Sequence, residues 1–185
     1  MIASILMMAA LLFGLAGIPD RAHLVRNPER SDADVRRFDA VMAGVLAVLL
    51  AGAAIVAALS TVVTGVGLAA AQIIAVFVAG ATGGYFVRTA LSMGGIPTRS
   101  ENYDDPDGEP LLRGGRIIGV LERTAIAVCL LVGWPAGLAV ILGVKGLARF
   151  PQLREHHASE QFIIGTFASV LWACAAAGIG HLVGV

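Results

Sequence analysis

Residues 115–150 read GRIIGVLERTAIAVCLLVGWPAGLAVILGVKGLARF, an apolar run with Glu122 and Arg123 near its start and Lys145 and Arg149 near its end. As one helix, its core from Thr124 to Val144 is just long enough to cross a bilayer of about 30 Å, and the flanking charges fall on opposite sides. As two helices that reverse at Gly133-Trp134-Pro135-Ala136-Gly137, it brings the charges back together. At roughly 1.5 Å per residue, Glu122 and Lys145 then share a depth about 15 to 18 Å below the turn. The fold depends on which reading holds, and the other charges of the chain choose between them.

Of 185 residues, 57% are hydrophobic, and mean hydropathy is +0.83. A soluble domain is about 45 to 50% apolar, so this chain belongs to the membrane class, with membrane lipids as its expected surroundings. Thirteen basic and thirteen acidic residues leave no net charge, which excludes a strongly basic nucleic-acid binder. Cys129 and Cys174 both lie in apolar segments and read as small buried hydrophobes rather than a disulfide. The opening MIASILMMAALLFGLAGIP has no basic n-region, and Arg21 and Arg26 follow it. That pattern predicts a retained first helix whose C-terminal end is cytoplasmic, not a cleaved leader.

In chain order, helix one is expected from Ile2 to Ile18, stopped by Pro19-Asp20. A polar segment follows, with Asn27-Pro28 as a turn or helix-start signal and Ser31-Asp32-Ala33-Asp34 as a cap for helix two, about Arg36 to Leu59. The uncharged link Ser60 to Gly65 returns the chain into helix three, Val66 to Met93, where Gly80, Gly83 and Gly84 allow close packing and Arg88 sits within reach of headgroups. Residues 96–114 form a polar loop. Its Asp105-Pro106-Asp107-Gly108 is a turn signal, and its carboxylates do not fit a calcium loop, because Tyr103 stands where the first ligand belongs. Gln161 to Leu182 is the final apolar helix.

With the central stretch folded as a hairpin, the polar segments at Asp20 to Asp39, Arg88 to Arg116 and Lys145 to Glu160 all fall on one side. Basic residues distribute as five, four and four and acidic ones as five, five and three, with Glu122 and Arg123 counted in the last group. The opposite face carries no charge. A single helix would put Arg149 and Arg154 outside, against the tendency of Lys and Arg in short loops to stay cytoplasmic. The expected fold is therefore all-α: a polytopic bundle of about six transmembrane helices with a short hairpin at 115–150. It divides into a three-helix segment at 1–95, a cytoplasmic loop at 96–114 and a C-terminal hairpin plus last helix at 115–185. Both termini are expected outside the cell membrane and the charged loops inside.

The hairpin gathers Glu122, Arg123, Lys145 and Arg149 in the inner half of the membrane, and the last helix adds Glu160, Gln161, Thr166 and Ser169. A charge in hydrocarbon costs at least about 2.5 to 3.5 kcal/mol, so these groups should be paired or open to water. Depth permits Glu122 with Lys145, and Glu160 with Arg149 or Arg123. Either they clamp the hairpin against the last helix, or they form a net basic pocket for a phosphate, a carboxylate or an anionic headgroup. His156 and Glu160, four apart, could share a metal, but His157 points away from His156 and no third ligand has convincing spacing, so no metal and no cofactor is expected.

The strings GRIIGVLER, KGLARF and FIIGTFAS resemble a motif set of uncharacterised prokaryotic integral membrane proteins, over about Gly115 to Ser169. The resemblance conveys no activity. It implies that Arg116, Glu122, Arg123, Lys145, Arg149, Gly165 and Thr166 matter together. The functional expectation is a small transporter, channel or binding protein for an anionic solute or lipid headgroup at binding residues Arg116, Glu122, Arg123, Lys145, Arg149, Glu160, Thr166 and Ser169, with oligomeric packing favoured by its small residues. The alternative is a non-catalytic accessory or scaffold subunit of a larger membrane complex. An enzyme acting on lipid phosphates ranks third, since no nucleophile or metal set is evident.

Overall fold

A computed structural model describes residues 1–98, 115–150 and 156–185, with side chains of the last segment from 159 onward. The Asp105 to Gly108 turn, the loop carboxylates and the His156 and His157 side chains lie outside the described residues.

The described residues form six helices: α1 (Ile2–Arg26), α2 (Asp32–Leu59), α3 (Val66–Met93), α4 (Gly115–Leu131), α5 (Ala136–Arg149) and α6 (His156–Leu182). By length and composition, α1, α2, α3 and the Ser159–Leu182 part of α6 can each cross a membrane. This is the architecture of a helical membrane protein. At 17 residues α4 sits at the lower bound for a span, and α5, with 14, falls below it.

Helix α3 is the hub, packing against α1, α2, α4 and α6. Its inward face is small, with Ala71, Ala75, Val78 and Ala79 buried, and it meets Ala173, Ala176 and Ala177 of α6. Large side chains such as Phe77, Val48 and Leu171 point outward and are more than half exposed. Small residues inside and large apolar ones outside is the arrangement expected where lipid, not water, is the solvent, because close backbone approach rather than hydrophobic burial holds such helices together. The α3 and α6 helices run antiparallel, as the Val63 N–H donating to the Val183 carbonyl (3.0 Å) ties the α2–α3 link to the end of α6. The uncharged link therefore lies at the opposite end of the bundle from Arg21, Asp39 and Arg88.

Helix α2 starts as its sequence predicts. The Ser31 side chain accepts from the Asp34 N–H and the Asp34 carboxylate accepts from the Ser31 N–H, a reciprocal capping box. Helix α1, by contrast, does not stop at Pro19 but runs on to Arg26. Pro19 removes the donor that the Leu15 carbonyl would use, yet two residues later Arg21 is tied across to Asp39 of α2. That tertiary bond holds the helical path which local propensity would end.

The central stretch is a hairpin. At its tip the Trp134 N–H donates to the Cys129 carbonyl (2.8 Å) and the Gly133 N–H to the Leu130 carbonyl (3.1 Å), with Gly133 at φ +77°. These two bonds form a Schellman cap, which ends α4, and Pro135 then opens α5. Only glycine adopts this φ without strain, so Gly133→Ala is expected to destabilise the protein by about 1 to 2 kcal/mol. Gly143→Ala, inside α5 with open space around it, is expected to be neutral or to stabilise by up to about 1 kcal/mol. Chemical or thermal unfolding of the two variants side by side in one detergent checks both.

Candidate functional site

Glu122 and Arg123 are neighbours on α4, so they point about 100° apart around the helix. Glu122 faces α5, where Lys145 Nζ lies 2.5 Å from its Oε2, both side chains being mostly buried. Lys145 also stands 5.8 Å from the Phe162 ring centroid of α6, so one ammonium links α4, α5 and α6. The depth match read from the sequence is met by this pair.

Arg123 faces the other way and is only 5% exposed. Its Nε donates to the carbonyls of Ala79 (3.1 Å) and Gly80 (3.2 Å), and its Nη2 to Gly80 (2.9 Å). A helical carbonyl already holding its own N–H retains a second lone pair, and the guanidinium uses it. Gly83 makes this approach feasible: a Cβ built there would lie 2.5 Å from Arg123 Cδ and 2.7 Å from Trp172 Cδ1. Trp172, buried on α6, donates from Nε1 to Thr82 Oγ1 (3.2 Å), and Thr82 in turn donates to the Val78 carbonyl (2.6 Å). The α3 glycines thus serve packing within the chain.

The other residues singled out in the sequence disperse. Arg116 is exposed, Arg149 and Thr166 are half-buried and Glu160 is exposed. Glu160 and Arg149 form no ion pair among the described residues, and Arg123 is turned toward α3 rather than toward Glu160. Ser169 is 5% exposed, and its hydroxyl has no hydrogen-bond partner among the described residues. No group of three His, Cys, Asp or Glu side chains placed to hold a metal occurs among the described residues.

A second cluster escaped the sequence reading. Asp39 of α2 is 1% exposed; Arg21 Nε lies 2.9 and 3.1 Å from its two oxygens, and Arg88 Nε 3.1 Å from Oδ1. Arg21 Nη2 also donates to the Thr98 carbonyl (2.8 Å). The Arg88 guanidinium sits 4.9 Å over Tyr85, whose hydroxyl donates to the Gly14 carbonyl (3.0 Å). Arg88 therefore turns inward instead of reaching for headgroups. A signal for this cluster existed: about 20 residues span the hydrocarbon, and counting them from the uncharged end of α1, α2 or α3 reaches Arg21, Ala40 next to Asp39, or the turn before Arg88.

No family model, curated protein or solved structure matches this chain. Its chemistry must be read from the geometry alone. One carboxylate ties three helices at the charged end, one ion pair ties the hairpin arms, and one arginine binds backbone carbonyls between α3 and α4. Each of these arrangements fixes helices against each other. None brings a nucleophile to a base.

Proposed function

We propose that the chain is a multi-pass protein of the cell membrane that acts as a non-catalytic accessory or scaffold subunit. Its charged end faces the cytoplasm, residues 1 and 185 lie on the other side, and the α4–α5 hairpin enters and leaves from the charged side. The observation that carries this reading is the closure of Lys145 on Glu122 and of Arg123 on α3 carbonyls. Side chains spent this way hold a shape, whereas an anion pathway needs them turned toward water. The hairpin supplies the docking arm: α5 packs on α4, and its Val140, Val144 and Leu147 are more than half exposed.

The transport or binding reading has one observation in its favour, the buried hydroxyl of Ser169 on α6, unbonded among the described residues. Two measurements separate the readings. Native mass spectrometry from a mild detergent is expected to show a stoichiometric protein complex that Val144→Arg abolishes while the bundle stays folded. Proteoliposomes that instead move phosphate or a carboxylate in a manner dependent on Ser169 would replace the scaffold with a transporter. Sidedness has its own check. Cysteine at Glu29 is expected to react with an impermeant maleimide only in inverted vesicles and cysteine at Thr61 only in intact cells, with Cys129 and Cys174 replaced by alanine; the reverse pattern overturns the orientation.

A further inference from the structure

At the charged end, α2 and α3 line an open groove of about 450 Å³, with Ala33, Arg36, Arg37 and Ala40 on one side and Thr89, Ser92 and Met93 on the other. Arg36 and Arg37 are exposed and form no hydrogen bond or ion pair among the described residues. Two of the acids nearby are committed. Asp34, on whose charge Arg37 acts, spends its carboxylate on the Ser31 N–H and hydroxyl, and Asp39 is buried against Arg21 and Arg88. Asp32 stands one turn before Arg36 and is exposed. Thr89 and Ser92 donate to the Tyr85 and Thr89 carbonyls, so the arginines are the groove's charged donors.

Depth identifies what such a groove meets. About 20 residues cross the hydrocarbon, and counting back from Leu59, the end of α2, reaches Ala40. Arg36 and Arg37 then lie roughly 4.5 to 6 Å beyond the boundary, at headgroup level. One turn deeper on the same face, Gly44 is exposed, and a Cβ there would meet nothing within 4 Å. The small pair Ala40 and Gly44 therefore leaves a shallow apolar track leading from the two guanidiniums into the acyl region.

We propose that this groove is a binding site for an anionic phospholipid of the cytoplasmic leaflet. Arg36 and Arg37 grip its phosphate, and a tail lies along Ala40 and Gly44. Guanidinium suits this role because its planar fork matches phosphate oxygens bidentately. The inference stands apart from the scaffold reading, since a lipid bound here requires no partner protein.

The test is native mass spectrometry of the full chain, delipidated in detergent and titrated separately with phosphatidylglycerol and phosphatidylcholine. Wild type is expected to retain phosphatidylglycerol about tenfold or more tightly than phosphatidylcholine. The pair Arg36→Ala/Arg37→Ala is expected to lose that preference, and so is Ala40→Phe, which keeps the charge but fills the groove. Arg26→Ala, a loss of charge at the same end outside this groove, is expected to leave it unchanged. Thermal unfolding confirms that each variant is folded, and Arg36→Lys/Arg37→Lys provides a conservative pair if the alanine pair is not. Equal weakening by Arg26→Ala reduces the effect to general surface charge and overturns the site. Displacement of the lipid by inorganic phosphate at equal concentration overturns it too, by showing a site for a soluble anion.

Discussion

Asp39→Ala is expected to cost the protein about 3 to 5 kcal/mol of stability, the range for removing one partner from a buried ionic group. The substitution leaves Arg21 and Arg88, each about one-tenth exposed, facing each other across the vacated carboxylate. Two cations at the charged edge of the bundle then repel each other, and the tie among α1, α2 and α3 is lost. Reversible unfolding by SDS in mixed micelles, wild type against variant, measures the cost. A companion variant identifies its origin. Arg21→Met/Asp39→Leu/Arg88→Met replaces the whole triad by apolar groups of similar size and is expected to regain most or all of the loss, because no uncompensated charge remains. If Asp39→Ala lies within about 1 kcal/mol of wild type, the triad is not the clamp described here.

Local signals made part of this architecture legible in the sequence. The capping box at Ser31 and Asp34, the limits of α3 and the turn at Gly133 each depend on residues a few positions apart, and the chain follows them. Pro19 was misleading for the opposite reason. Its local signal was sound, but the Arg21–Asp39 bond that overrides it joins residues 18 positions apart. The same distinction separates the two halves of the candidate site. Glu122 and Lys145 could be paired from the sequence because depth along two helices was enough to match them. The direction of Arg123 around α4 was not, since it depends on which helix lies beside that face, and only packing sets that. The Asp39 cluster was hidden because its members sit in polar segments where charges read as solvated. What distinguishes them is being the charges closest to long apolar runs.

Gly83→Leu is expected to have the second large effect, a loss of about 3 kcal/mol or more. Even the first added carbon falls within 2.7 Å of both Arg123 and Trp172, and overpacking of this kind costs roughly 1 to 3 kcal/mol before polar bonds are counted. Displaced by it, Arg123 gives up the Ala79 and Gly80 carbonyls, and Trp172 gives up Thr82. An arginine in apolar surroundings without such acceptors adds the insertion cost of at least about 2.5 kcal/mol. Gly178→Leu, on α6 with nothing within 4 Å of a built Cβ, is the matched control and is expected to stay within about 1 kcal/mol of wild type. A double-mutant cycle attributes the effect to its cause. If Gly83 exists to admit the guanidinium stem, Gly83→Ala costs less in an Arg123→Ala background than in wild type, by at least about 1 kcal/mol, as for residues in direct contact. Additive costs would show that Gly83 and Arg123 act independently, and the close approach of α4 to α3 would need another explanation. Arg123→Met offers a further separation. It keeps the stem and removes the charge, so a folded variant that still forms the proposed protein complex assigns Arg123 to packing α4 on α3, whereas a folded variant that no longer associates assigns its charge to the proposed docking surface.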